Sequence, residues 1–158
     1  MRIGFAKDIH KLVNDRKLIL GGVEIPYSKG LLAHSDGDVV IHSLVDSIIG
    51  ALNLGDIGKM FPDSNDKYKN ISSIYFLKEI NKILKKENYD IEYIDIFISC
   101  EKPKLSKYID EMKNIISLNL EIDKSIISIK AGTNEGIGEI GKNEAIESYS
   151  ICLLKEKN

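Results

Sequence analysis

Hydrophobic and polar positions alternate at the start of the chain, in RIGFAKDIH. Gly4, Ala6, Asp8 and His10 fall on one face and Ile3, Phe5 and Ile9 on the other, which predicts a strand. KLILGGVEIP reads as a second strand, ended by Pro26. After LLAHSDG the period changes. Val39, Val40, Ile41, Leu44, Val45, Ile48, Ile49 and Leu52 mark a helix, with Ser35 or Asp36 as its expected cap. Gly55 and Gly58 break it within NLGDIGKMFPDS, a loop dense in glycine and aspartate. ISSIYFLKEINKILKKE is an amphipathic helix, IEYIDIFISC a strand and KLSKYIDEMKNIISLNL another helix. SIISIKAGT and EAIESYSICLLKE read as closing strands. With no internal repeat, low-complexity linker or composition break, residues 1–158 are expected to form one domain. Its class is α/β or α+β, built on a single sheet.

Composition narrows the function classes. The 158 residues are 43% hydrophobic and 29% charged, as in a globular chain able to bury a sizeable core. Net charge is −2 and no basic stripe is visible, so no nucleic-acid partner is expected. Cys100 and Cys152 lie far apart without a CxxC pattern, which suits reduced packing residues in a cytosol-like compartment. No apolar run approaches the ~18 residues of a membrane span, so no membrane partner is expected. Met1-Arg2-Ile3 leads straight into the first strand, and no signal or transit peptide is expected there.

All three histidines, His10, His34 and His42, stand in the first part of the chain near carboxylates. Asp8 and His10 are i, i+2 on a strand, so their side chains emerge together. His42 and Asp46 are i, i+4 on the helix and share a face. If that helix packs on that strand, Asp8, His10 and His42 converge. Two imidazoles and a carboxylate suit a catalytic zinc ion with its fourth position open. Asp46 would then orient His42 by accepting its other N–H. The same spacings also suit a solvated strand end and a surface His–Asp pair, so spacing alone leaves both readings open. His34-Ser35 precedes the helix, where unpaired N–H groups favour phosphate, though Ser35 as a simple cap fits equally. GIGEIG matches the dinucleotide pattern G-x-G-x-x-G, but the residues after Gly141 read as a strand, so a dinucleotide site is rejected. AGTNEG nearby offers the Thr133 hydroxyl and the Glu135 carboxylate, a hard-cation ligand.

The blocks RIGFAKDIH, LILGGVEIPYSKGLLAHSDGDVVIHSLVDSIIGALNLGDIGKMFPDSND, CEKPKLSKYIDEM and KAGTNEGIGEIGKNEAI together cover essentially the whole chain. In them the sequence resembles the 2-C-methyl-D-erythritol 2,4-cyclodiphosphate synthases of the non-mevalonate isoprenoid pathway. The resemblance implies a single-domain α/β (α+β) subunit with one mixed sheet and helices on one side, packed as a three-fold homotrimer. It implies Zn2+ on Asp8, His10 and His42, and a second divalent cation, Mg2+ or Mn2+, held at the substrate diphosphate through Glu135. The implied reaction converts 4-CDP-2-C-methyl-D-erythritol 2-phosphate to the cyclic diphosphate. The 2-phosphate attacks the β-phosphorus of the CDP group and expels CMP.

By the same resemblance Asp8 and His10 border the substrate, and His34 and Ser35 contact its phosphate and erythritol part. Asp56, Ile57 and Gly58 line the methylerythritol pocket with Phe61, Pro62, Asp63, Ser64 and Asn65. Cys100, Glu101, Lys102, Pro103, Lys104, Leu105 and Ser106 hold the cytosine, largely through backbone groups. Gly132, Thr133, Asn134 and Glu135 meet the diphosphate, and Glu139 and Lys142 complete the substrate-contacting set. His34, Thr133 and Glu135 are the implied catalytic residues. Each active site lies between subunits, the metal residues coming from one and the cytidine segment from the next. Four features depart from the family pattern: Ala6 for a usual glycine, Gly132 for a frequent threonine, Glu139 for a common aromatic, and Lys142-Asn143 for Arg-Gly. Lysine at 142 keeps the charge and loses the bidentate fork, which weakens the expectation of isoprenoid diphosphate binding on the trimer axis. The expected location is the bacterial cytoplasm, or a plastid-type organelle if a targeting segment was removed. Two rival classes use the same residues: a metal-dependent phosphohydrolase, which has no use for CEKPKLS, and a non-catalytic trimeric binding module.

Overall fold

The computed structural model describes residues 1–62 and 64–157. Strands β1 (Arg2–Asn14), β2 (Leu18–Leu20), β3 (Val23–Ile25) and β4 (Lys29–Leu31) precede helix α1 (Val39–Ala51) and the one-turn helix α2 (Ile57–Met60). Helix α3 (Ile74–Lys86), β5 (Tyr89–Ser99), α4 (Ile109–Leu120), β6 (Ile127–Gly132), the one-turn α5 (Gly138–Gly141) and β7 (Ala145–Glu156) follow. The five-stranded sheet runs β4-β1-β7-β5-β6. Only β5 and β6 are parallel, as the α4 crossover between them requires; β1, β4, β5 and β7 pair antiparallel. The alternations expected for the first and last strands and the three long helices all appear.

The region read as one strand from KLILGGVEIP is instead a small hairpin, β2 paired with β3. Gly21 and Gly22 turn it with φ of 58° and 80°, a left-handed pair that reverses the chain within two residues. The cap of α1 also differs from expectation. It is Asp38, whose side chain accepts from the N–H groups of Val40 and Ile41, both at 3.1 Å. Ser35 and Asp36 are committed elsewhere, as described below. Asp38 also takes the N–H of Gly21 at 2.9 Å and of Gly22 at 2.6 Å, tying the hairpin turn to the start of α1. Burial pushes its carboxyl up to about 6, the Asp36 charge adds to the rise, and the N–H donors oppose it.

Gly4, Ala6, Asp8 and His10 on β1 pair with Cys152, Ser150, Ser148 and Ile146 on β7, and all face α1. Gly4, Ala6, Ser148 and Ser150 are small, and α1 answers with small residues. Ser43 Oγ reaches Ser148 Oγ at 3.0 Å and Ser150 Oγ at 2.8 Å. A Cβ on Gly4 would lie 1.9 Å from the carbonyl oxygen of Ser47. Along the same face Ile94, Ile96 and Ile98 of β5 are fully buried under the helical layer. On the opposite sheet face several apolar side chains lie open: Ile3 is 72% exposed, Phe5 63%, Tyr93 46% and Ile151 44%.

The Gly4 contact is with backbone, which cannot swing aside. Gly4→Ala should therefore lower stability by about 1–3 kcal/mol, as overpacking of a filled core does. Chemical denaturation measures this. A variant as stable as the parent would show that α1 does not approach β1 this closely.

Candidate active site

The close approach of α1 to β1 sets His42 over Asp8 and His10. His10 Nε2 lies 3.1 Å from Asp8 Oδ2, His42 Nδ1 lies 3.2 Å from the same oxygen, and the two ring nitrogens are 3.5 Å apart. These three separations are close to roughly 3.3 Å, the edge of a tetrahedron with bonds of about 2.0 Å to a central ion. Asp8, His10 and His42 are a group able to hold a metal ion, and two imidazoles favour a transition metal over magnesium or calcium. Burial would raise the Asp8 carboxyl, but the adjoining His10 and His42 imidazoles together outweigh it and hold it well below the usual carboxylate range. Burial lowers His42, and the Asp8 carboxylate more than restores it, so its net shift is upward.

Asp46 does not orient His42. Its Oδ1 accepts the N–H of Ile57 at 2.8 Å and so fixes the start of α2, while burial raises its carboxyl. The second nitrogen of His42 instead faces two hydroxyls, Ser35 Oγ at 3.1 Å and Ser73 Oγ at 2.9 Å. Spacing along one helix face suggested Asp46. Ser73 lies 31 residues away in sequence, where it reads only as a helix cap.

A cleft of about 200 Å³ opens beside the triad, and His34, Ser35, Ile57, Gly58 and Phe61 line it together with Asp8, His10 and His42. Four wall residues were not anticipated: Lys7, Ala33, Tyr68 and Phe76. Phe61 packs on Phe76 with ring centroids 4.8 Å apart and on Tyr68 at 5.7 Å, forming an apolar wall. His34 Nε2 is buried without a hydrogen-bond partner among the described residues. Arg16 holds the chain on both sides of it, donating to the carbonyls of Ala33 at 3.1 Å and Ser35 at 2.8 Å. Asp56 caps α2 through the N–H of Lys59 at 2.7 Å. Pro62 is half-buried, Ser64 and Asn65 are exposed, and Asp63 lies outside the described residues.

A second cleft, of about 230 Å³, is lined by Cys100, Glu101, Pro103, Lys104, Leu105 and Ser106, with Gly132 and Thr133 on its far side. Burial, with the Glu101 charge adding, pushes the Cys100 thiol up to about 12, so it is a packing group and not a nucleophile. Its S–H points at the carbonyl of Lys102, 3.2 Å away. Thr133 donates to Glu135 at 2.9 Å, while Glu101 and Ser99 clamp the intervening Asn134 at 3.2 and 2.7 Å. Glu135 adopts φ of 52°, which turns its carboxylate back toward Thr133. Glu139 and Lys142, on and just after α5, line neither cleft.

The two clefts share no lining residue. Asp8 on β1 and Ala131 on β6 are aligned through Ser148 and Ile98, three strand spacings apart. That is about 14 Å across the sheet. Within one chain the triad and the residue 100–106 segment are therefore separate.

Comparisons with known proteins agree with this architecture. A family model described as the YgbB family matches residues 1–155. The 2-C-methyl-D-erythritol 2,4-cyclodiphosphate synthase of Clostridium acetobutylicum is 57% identical over 154 residues, covering 98% of this chain and 99% of the relative. The structure described as an IspF–CDP complex from Plasmodium falciparum superposes with a TM-score of 0.88 at 42% identity, covering 99% of this chain and 97% of that one. The bifunctional IspDF of Campylobacter jejuni gives a TM-score of 0.95 at 38% identity, and there this chain spans 42% of the longer protein. With the family model matched over nearly its full length, the chain belongs to the YgbB family.

Proposed function

We propose that the protein is a cyclising phosphoryl-transfer enzyme of isoprenoid precursor biosynthesis. It converts 4-CDP-2-C-methyl-D-erythritol 2-phosphate to 2-C-methyl-D-erythritol 2,4-cyclodiphosphate and CMP. The observation that carries this reading is the convergence of Asp8, His10 and His42 beside a cleft holding His34 and Ser35, in a chain 57% identical to a synthase of that name. The attacking phosphate is already anionic and CMP is a good leaving group, so no activated nucleophile is needed. Catalysis rests on folding the substrate into an in-line arrangement and neutralising its crowded oxygens.

The residues divide that work. Zinc, when bound to the triad, supplies positive charge to the phosphate oxygens, and magnesium or manganese does the same at Glu135. His34 and Ser35 hold the phosphate, and the Phe61–Phe76 wall excludes water from the methyl-bearing carbons. Asp56, Ile57 and Gly58 bind the erythritol hydroxyls, with Pro62, Ser64 and Asn65 lining the same pocket. Glu135 would hold the second cation, and the Thr133 hydroxyl is assigned to the diphosphate, with Gly132 and Asn134 beside it. The 100–106 segment grips cytosine. Because its cleft, at Ala131, lies about 14 Å from Asp8 across the sheet, a complete site is assigned to two subunits. The open face of Ile3, Phe5, Tyr93 and Ile151 supports burial in a homotrimer. Glu139 and Lys142 line neither cleft, so the proposal places them toward the subunit junction. Among the described residues no helix is long and apolar enough to cross a membrane, and the bacterial relatives support action in the cytoplasm.

Incubation of the purified protein with substrate and both cations should give equal amounts of CMP and the cyclic diphosphate. Release of inorganic phosphate would identify a hydrolase instead.

Two variants separate the metals. His42→Ala should abolish tight zinc retention, since two ligands rarely hold the ion. Glu135→Gln should retain zinc and lose roughly 10²-fold or more in turnover. Zinc at full stoichiometry in His42→Ala, or lost in Glu135→Gln, would contradict the assignment.

Mixing His42→Ala chains with chains disrupted at Pro103-Lys104 should restore part of the activity, because mixed trimers contain intact composite sites. Co-assembled trimers without activity would refute the shared site.

A further inference from the structure

Ser73 is fully buried at the N-cap of α3, where a serine ordinarily caps, yet its side chain makes no capping hydrogen bond. It lies 2.9 Å from His42 Nε2 instead. The Asp36 carboxylate takes the N–H of Ser73 at 2.8 Å and also its hydroxyl proton at Oδ1. Asp36 thus ties the start of α3 to the loop before α1, and through Ser73 it reaches a residue of the metal triad.

The proton count fixes the direction of this chain. A serine hydroxyl has one proton, and an ionised carboxylate can only accept. With that proton on Asp36, the Ser73 oxygen can only accept from His42. The imidazole must then carry hydrogen on Nε2, leaving the Nδ1 lone pair directed at Asp8 and His10, 3.2 and 3.5 Å away. Asp8 Oδ2 competes by attracting a proton to Nδ1. It is already shared with His10 at 3.1 Å, however, whereas Nε2 faces two nearer acceptors, Ser73 at 2.9 Å and Ser35 at 3.1 Å. Ser35 Oγ, a second acceptor for Nε2–H at 3.1 Å, also takes the N–H of Gly37 at 3.3 Å. Its own proton is free to point into the cleft.

We propose that Asp36 and Ser73 are a positioning pair: they keep His42 protonated on Nε2 and present Nδ1 as the ligand atom. The proposal rests on the metal reading of the triad given above. Neither residue is one of the triad ligands. Their effect passes through the tautomer and orientation of His42, and the loss of such an outer partner characteristically costs 10–100-fold in metal affinity.

The test uses Ser73→Ala and Asp36→Asn in the full-length protein. Zinc affinity is measured by competition with a chromophoric chelator. In the metal-free protein the ring-nitrogen NMR signals of His42 are recorded at a pH where the ring is neutral. The parent should carry its proton on Nε2. Ser73→Ala should bind zinc about 10–100-fold more weakly and shift the ring population toward the Nδ1-protonated form. Asp36→Asn, which keeps an acceptor oxygen, should do the same to a smaller degree. Because the Ser73 side chain caps nothing, α3 and the thermal transition should survive its loss. A parent ring protonated on Nδ1, or a Ser73→Ala chain that matches the parent in zinc affinity and tautomer, overturns the proposal. A parent that carries the Nε2 proton but takes up no zinc overturns the metal reading and leaves the tautomer assignment standing.

Discussion

The contact between α1 and the β1–β7 pair is the constraint from which the site follows. A helix ordinarily sits well clear of a sheet, held off by branched side chains on both surfaces. Here the facing positions are Gly4, Ala6, Ser148 and Ser150 on the strands and Ser43 and Ser47 on the helix, so the backbones approach until a Cβ on Gly4 would overlap the Ser47 carbonyl. The serine hydroxyls are buried without cost because they bond to one another and to α1 carbonyls. His42, one residue before Ser43, is thereby brought within 3.2 Å of a carboxylate oxygen on β1. Larger residues along this seam would lift the helix and separate the three triad atoms by more than one ion can bridge.

The loop before α1 extends the same logic. Arg16 grips the carbonyls on either side of His34, Asp38 ties the β2–β3 turn to the helix start, and Asp36 fastens the start of α3. Four charged side chains from one short region of sequence, counting Asp8, are spent on fixing backbone or imidazole groups. A site that works by positioning needs such rigidity more than it needs reactive groups.

Much of this was legible in the residues. The period of two in RIGFAKDIH put Asp8 and His10 on the face of Gly4 and Ala6, and the helical period of VVIHSLVD placed His42 where it could meet them. Local pattern failed wherever the partner was distant in sequence. Asp46 shares a face with His42, so spacing favoured it, but the N–H of Ile57 claims that carboxylate. Ser73 resembles any helix cap until its actual partners, His42 and Asp36, are seen. KLILGGVEIP reads as one strand because its apolar positions ignore the two glycines that reverse it. The role of residues 100–106 was not readable from periodicity at all. It came from family resemblance, because the partner of that segment is expected on a neighbouring subunit.

One close helix–strand contact builds the metal site, and under the proposed function a neighbouring subunit completes it, because the chain's own second cleft lies about 14 Å of sheet away. A crystal structure of the protein loaded with zinc and CDP, with the ion located by its anomalous scattering, tests both halves at once. The expected result is zinc on Asp8 Oδ2, His10 Nε2 and His42 Nδ1 beside the diphosphate, with the cytosine of that nucleotide seated on residues 100–106 of a neighbouring chain. Zinc located elsewhere, or a nucleotide whose cytosine and diphosphate are held by a single chain, would contradict it.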